Sequence, residues 1–297
     1  MKRREFIQYS GVLSAAVLMP VSCLSVPSRG NYPMGLQLYT VRDAMELDPI
    51  GTLTRLKDMG YTHFESYGFD TVKGTYYGMK PSIFKAQLDA LDLATTSGHY
   101  GFADQFDLTA QALMDYTDRC IEGAAALNDP YIVWPILRPA QHTLEGYKQL
   151  AEKLNLIGAR CKASGIGFAY HNFGYDFDLY DGIMGYDVVL NETQADLVQM
   201  EVDFYWVMHA GVLTPKELIE KAPGRFPLWH IKDMDKITRD YTEMGNGSID
   251  YTSLLPDPKR AGLQQYYVEQ GGNFAVNSMQ SVDQSAQYVQ RELLHLL

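Results

Sequence analysis

The sequence predicts an α/β protein built as a single (β/α)8 barrel, a TIM barrel, and three observations carry that reading. Short apolar runs alternate with longer helical patterns from residue 30 to residue 297, the signature of βα units around a parallel sheet. Eight such pairs follow one another without a composition break or linker, and a barrel of this kind takes roughly 250 residues. No GxGxxG follows the first strand, whereas an open doubly wound sheet would need that glycine fingerprint there.

Strand one is expected at 34–39. Asp48-Pro49 then opens a helix, with Asp as N-cap and Pro at the first helical position, and Gly60 closes it. Strands two and three fall at 63–65 and 93–98, separated by a helix near 81–91. A helix over 108–127 leads to strand four at 131–134. Leu144, Tyr147, Leu150, Leu154, Ile157 and Cys161 recur at three- or four-residue spacing, which makes one apolar stripe on the next helix. Strand five is expected at 166–170, and a short helix near 186–190 precedes strand six at 197–202. Thr214-Pro215-Lys216-Glu217 reads as a capping box that starts a helix reaching 221. Strand seven (227–231), a helix over 251–262, strand eight (265–268) and a last helix over 282–296 complete the series.

Residues 1–29 stand apart. Lys2-Arg3-Arg4 precedes the apolar run 11–19, too short to span a bilayer. This resembles a twin-arginine export signal and implies a periplasmic protein. Cys23 after Val21-Ser22 is a candidate lipid-anchor site and the one expected link to a membrane, though Pro20 stands where a lipobox has Leu. The net charge of −11 becomes about −14 without this leader. Such a surface repels phosphate backbones, so nucleic acid is not an expected partner. Cys120 and Cys161 form no CxxC and are expected as buried free thiols.

Four strands end in residues able to bind a metal: Tyr170-His171, Val202-Asp203, the His230 strand, and Val268-Glu269. Ligands of barrel proteins gather beyond the carboxyl ends of the strands. Asp203, His230 and Glu269 would therefore converge, with His171 either a fourth ligand or a base aimed at the substrate. Imidazole with carboxylates and no thiolate suits Mn²⁺, Mg²⁺, Co²⁺ or Zn²⁺. Lys232, two residues past His230, shares its side of the strand and would stabilise a developing enolate. His99 and Glu65 point to the same rim as candidates for sugar hydroxyls. Trp206, Tyr205, Phe173, Tyr175, Tyr100 and Trp134 are candidate stacking surfaces, with His209 beside them.

Gly35-Leu36-Gln37-Leu38-Tyr39 with Arg42, Tyr170-His171-Asn172, Glu201-Val202-Asp203, His230-Ile231-Lys232-Asp233, Gly245-Asn246-Gly247-Ser248-Ile249-Asp250 and Val268-Glu269 together resemble the xylose-isomerase-like barrel superfamily, in its sugar phosphate isomerase/epimerase branch. The resemblance implies a divalent metal, most often Mn²⁺, on residues matching Asp203, His230 and Glu269. Gln37, in the opening motif, joins the expected substrate contacts. Ketose epimerases of this superfamily carry Glu where His171 stands, and their D-x-x-H is Asp203-Phe204-Tyr205-Trp206 here. Two-base epimerisation is thereby weakened, while metal-assisted proton removal beside a carbonyl is retained. Export disfavours a sugar phosphate, and exported relatives act on 3-keto-glycosides by β-elimination. The expected function is thus metal-dependent enolate chemistry on a non-phosphorylated sugar, with His171, Lys232 and Glu269 as catalytic residues. The alternatives are a two-base ketose epimerase or isomerase, and a non-catalytic sugar-binding barrel.

Overall fold

A computed structural model of the protein describes residues 32–297; the leader, its arginine pair and Cys23 lie outside the described residues. Eight parallel strands close into a barrel: β1 Met34–Gln37, β2 His63–Ser66, β3 Ala94–His99, β4 Tyr131–Trp134, β5 Gly167–His171, β6 Gln199–Asp203, β7 Leu228–Ile231 and β8 Gln265–Val268. Each pairs with its sequence neighbours, and β1 closes the ring on β8 through Gly35↔Tyr267.

Asp48 accepts from Gly51 N at the head of Pro49–Asp58, the expected cap, and Thr143 accepts from Gly146 N at the head of Leu144–Ala163. Thr214 and Glu217 bond each other's backbone N–H ahead of Pro215–Lys221. Asn128, at φ 62°, ends the helix Ala110–Leu127 in the left-handed conformation that Asn tolerates. Two expectations need correction. The helix over 251–262 is two short ones, Tyr251–Leu254 and Pro258–Ala261, because Pro256 disfavours helical geometry at Leu255. The last helix begins earlier, at Ser278, where Asn277 accepts from Gln280 N. The helix Phe204–Ala210 directly follows β6, and a 3-10 turn, Leu38–Val41, joins β1 to the helix Arg42–Leu47; neither helix was expected from the sequence.

Successive strand side chains alternate sides, so positions two apart face the same way. Ala169, Leu228 and Tyr267 stand two residues before His171, His230 and Glu269. With Tyr131 and Val133 they form a small apolar cluster of their own, the packed floor of the barrel interior. The larger apolar cluster lies between strands and helices and holds the Leu144–Ala163 stripe and both buried free thiols, Cys120 and Cys161.

The β1–β8 seam depends on Gly35. A Cβ there would lie 2.3 Å from Tyr266 O and 2.7 Å from Tyr267 Cδ1, so backbone must shift to admit it. Gly35→Ala is expected to destabilise the fold by about 1–3 kcal/mol, read from the denaturant midpoint; an unchanged midpoint would contradict this packing.

Candidate metal centre and substrate cleft

Above the apolar floor the inward positions become ionisable. Asp203 and Glu269 lie at the ends of β6 and β8, and Lys232 just past β7; Lys232 Nζ sits 2.6 Å from both Asp203 Oδ2 and Glu269 Oε2. His230 Nδ1 is 2.7 Å from Glu269 Oε2, and His171 Nε2 is 3.4 Å from Asp203 Oδ2. His230's other nitrogen, Nε2, lies 2.6 Å from Glu65 Oε2. Beneath it Glu65 also receives Gln37 Nε2 at 2.7 Å and Ser97 Oγ at 2.5 Å. His99 Nε2 bridges Glu201 Oε2 at 2.7 Å and Glu65 Oε2 at 3.0 Å.

Burial alone would raise the carboxyls of Glu65, Asp203 and Glu269, because it penalises the charged form. The cations reverse this. Lys232 brings Asp203 below the usual carboxylate range, and Lys232 with His230 does the same for Glu269. His99 and His230 hold Glu65 well below it. The imidazoles respond in kind: burial would lower His99, but Glu65 and Glu201 push it up to about 9. Burial would also lower His230 and Lys232, and their carboxylate partners raise both. His171 is the exception. Burial keeps it neutral, and its contact with Pro135 O at 3.1 Å assigns the proton to Nδ1, since a carbonyl only accepts. Nε2 is therefore bare and turned toward Asp203.

This donor set fits a divalent ion. His171, Asp203, His230 and Glu269 each offer one ligand atom within 4.8 Å of the others, all four buried. His171 Nε2, Asp203 Oδ2, His230 Nδ1 and Glu269 Oε2 all lack an aligned hydrogen bond despite the short contacts. Lys232 pairs with the two carboxylate oxygens, and a point with so few aligned hydrogen bonds is costly unless a further cation binds it. Metal-binding imidazoles ordinarily hand their second nitrogen to a carboxylate or carbonyl, and His230–Glu65 and His171–Pro135 do so here. Glu65, His99, Glu201 and His230 form a second converging group, but there the short His–carboxylate contacts are largely hydrogen-bonded.

A cavity of about 560 Å³ opens above the cluster, and His99, His171, Lys232 and Glu269 reach it. Phe173 and Tyr100 line it as expected. Gln37 and Glu65 do not: both are fully buried in the hydrogen-bonded layer beneath. Trp206 and His209 stand outside the lining, Trp206 packed on Phe173 at 5.1 Å and His209 against Tyr205 and Trp206. Tyr175 and Tyr205 are likewise outside it, and Trp134 is core, stacked on Phe102. Glu201 was missed. Its signal was a carboxylate inside an apolar strand two residues before Asp203, hence on the same inward face. Asp233 was also passed over; it accepts from Gly245 N, Gly247 N and Ile249 N and so clamps the Gly-Asn-Gly loop beside Lys232.

The chain belongs to the xylose isomerase-like TIM barrel family, whose model matches residues 53–269. Solved structures of the same fold include a sugar phosphate isomerase/epimerase from Parabacteroides distasonis, with 24% identity, TM-score 0.79, and coverage of 92% of this chain and 98% of that one. An L-ribulose 3-epimerase shares 14% identity at TM-score 0.67 over 88% and 94% of the two chains. An IOLI protein with a bound zinc atom shares 14% at TM-score 0.65 over 86% and 96%. A search of the curated proteins finds no match to the sequence.

Two stability measurements on metal-free protein test the electrostatics. Lys232→Met strands two buried carboxylates and is expected to cost about 3–5 kcal/mol, with part recovered on adding a divalent ion; an unchanged melting temperature would contradict the pairing. His99 has a raised pKa in the fold, so its contribution is complete below about pH 6.5 and is lost as pH rises through about 9. Between those values wild type is expected to lose roughly 1–3 kcal/mol more than His99→Gln, measured by denaturant titration at each pH. Parallel pH profiles would refute the assignment.

Proposed function

We propose that the protein is a metal-dependent enzyme that removes a proton beside a carbonyl of a non-phosphorylated sugar, with His171, Asp203, His230 and Glu269 as the ligand set. The observation that carries this reading is the convergence of four orphaned buried ligand atoms under an open cavity. When bound, the ion would supply Lewis acidity that acidifies the C–H beside a coordinated carbonyl. Mn²⁺ is our first choice, with Co²⁺, Zn²⁺ and Mg²⁺ as competitors, because the set mixes imidazole with carboxylate and has no thiolate. The isomerases and epimerases among the structural neighbours support a sugar as substrate.

The chain's own groups divide the work. Glu269, ionised and at the cavity wall, is placed to take the proton. Lys232, cationic beside Glu269 and Asp203, is placed to hold negative charge that develops on a substrate oxygen. His171, bare at Nε2, completes the ligand set in this reading. With one carboxylate base at the cavity, β-elimination from a 3-keto-glycoside is favoured over two-base epimerisation, since a lyase needs one base and a proton for the leaving oxygen. Lys232 is the one lysine or arginine among the described residues lining the cavity, and it is already paired with two carboxylates. That supports a substrate without phosphate. The leader's arginine pair and short apolar run support export to the periplasm.

Elemental analysis of purified protein is the deciding measurement. Near-stoichiometric divalent metal is expected, and Asp203→Ala with His230→Ala should abolish it; protein that cannot be loaded with metal would overturn the reading. Glu269→Gln should lower kcat on a 3-keto-glycoside by about 10²-fold or more. Turnover of simple ketoses in preference to 3-keto-glycosides would favour the epimerase alternative.

A further inference from the structure

We propose that the outer half of the cavity is a subsite for an aromatic aglycone, so that the sugar arrives joined to a planar apolar ring and not to a second sugar. This rests on the reading above only in placing the sugar at the ionisable end. Small-molecule sites span roughly 300–1,000 Å³, and about 560 Å³ leaves room beyond one monosaccharide.

The cavity wall is chemically divided. Its ionisable side chains, His99, His171, Lys232 and Glu269, all belong to the cluster described above. Much of the rest of the lining is aromatic and comes from the ends of β1 to β3 and their loops: Tyr39, Tyr67, Phe69 and Tyr100. These rings are already set against one another. Tyr39 meets Tyr67 edge-on at 5.4 Å, Tyr67 meets Tyr77 at 5.5 Å, and Phe69 lies 4.6 Å from Tyr76. Arg42 sits over the Tyr39 ring at 4.3 Å, bonded to Tyr39 O at 2.9 Å and Gly271 O at 3.3 Å. Tyr39 is nonetheless 43% exposed, a ring held in place with a face left open.

No charged or amide side chain stands among the residues of this outer wall. The Tyr100 hydroxyl is already bonded to that of Tyr76 at 2.6 Å. A second sugar entering here would surrender water from several hydroxyls and meet few replacements, which is unfavourable. An aromatic ring surrenders little and gains edge-to-face or stacked contacts with a preorganised wall.

The test uses the metal-loaded full chain and three probes that share one sugar: phenyl β-glucoside, methyl β-glucoside and cellobiose, with affinities read by calorimetry or ligand-observed NMR. Phenyl β-glucoside is expected to bind about ten-fold more tightly than either of the others. Tyr39→Ala with Tyr67→Ala should erase that advantage while leaving the methyl glucoside affinity and metal content unchanged; Tyr39→Ala alone, at an exposed position, guards against a folding defect and should erase part of it. Equal affinities, tighter cellobiose, or no binding of any probe at millimolar concentration would overturn the subsite. Because binding is read without turnover, a catalytically inert protein that prefers the phenyl probe would sink the proposed reaction and leave the subsite standing, and an active one without that preference would do the reverse.

Discussion

Four carboxylates, Glu65, Glu201, Asp203 and Glu269, are buried at one end of the barrel, and the rest of the site follows from what neutralises them. Moving a single carboxylate out of water costs several kcal/mol even after relaxation, so such a group persists as an anion only against cations. Lys232 answers Asp203 and Glu269, and His99 with His230 answers Glu65 and Glu201. A divalent ion on the ligand set, the Lys232 ammonium and a protonated His99 would together carry the charge of all four. The deeper group is largely hydrogen-bonded, while the upper one keeps four atoms without an aligned hydrogen bond.

The barrel delivers this arrangement through its two-residue period. Each of β5, β7 and β8 presents an apolar residue to the floor and an ionisable one a layer higher, so the water-excluding floor and the charged layer come from the same strands. β6 differs in presenting Glu201 and Asp203 in succession. Asp203 also serves twice: Oδ2 faces the cluster, while Oδ1 accepts from Trp206 N at 3.4 Å and caps the helix Phe204–Ala210. That helix swings Trp206 away from the cavity. Fold and chemistry are therefore coupled at one residue.

Division of labour around the rim has a functional sense. Ligands stand on strand ends, where neighbouring strands hold them rigidly, and the aromatic wall stands largely on loops, where a barrel varies most freely.

Strand positions were legible in the sequence because buried parallel strands read as apolar runs, and β4 and β8 coincide with their expected bounds. His171, Asp203, His230 and Glu269 were legible for the same reason: a polar residue ending such a run can only emerge at the rim. Pro256, which divides the expected helix over 251–262, was a local signal that the expectation did not use. What remained hidden needed ring closure. Only when β1 meets β8 and β2 meets β3 does Glu65 come under His230, Gln37 lock onto Glu65, and Glu201 reach His99. Those contacts join residues from 28 to 165 positions apart. The local pattern thus determined which residues face inward and at which end. Tertiary structure alone decided which of them touch, because burial and charge pairing are properties of the closed ring and not of any one strand.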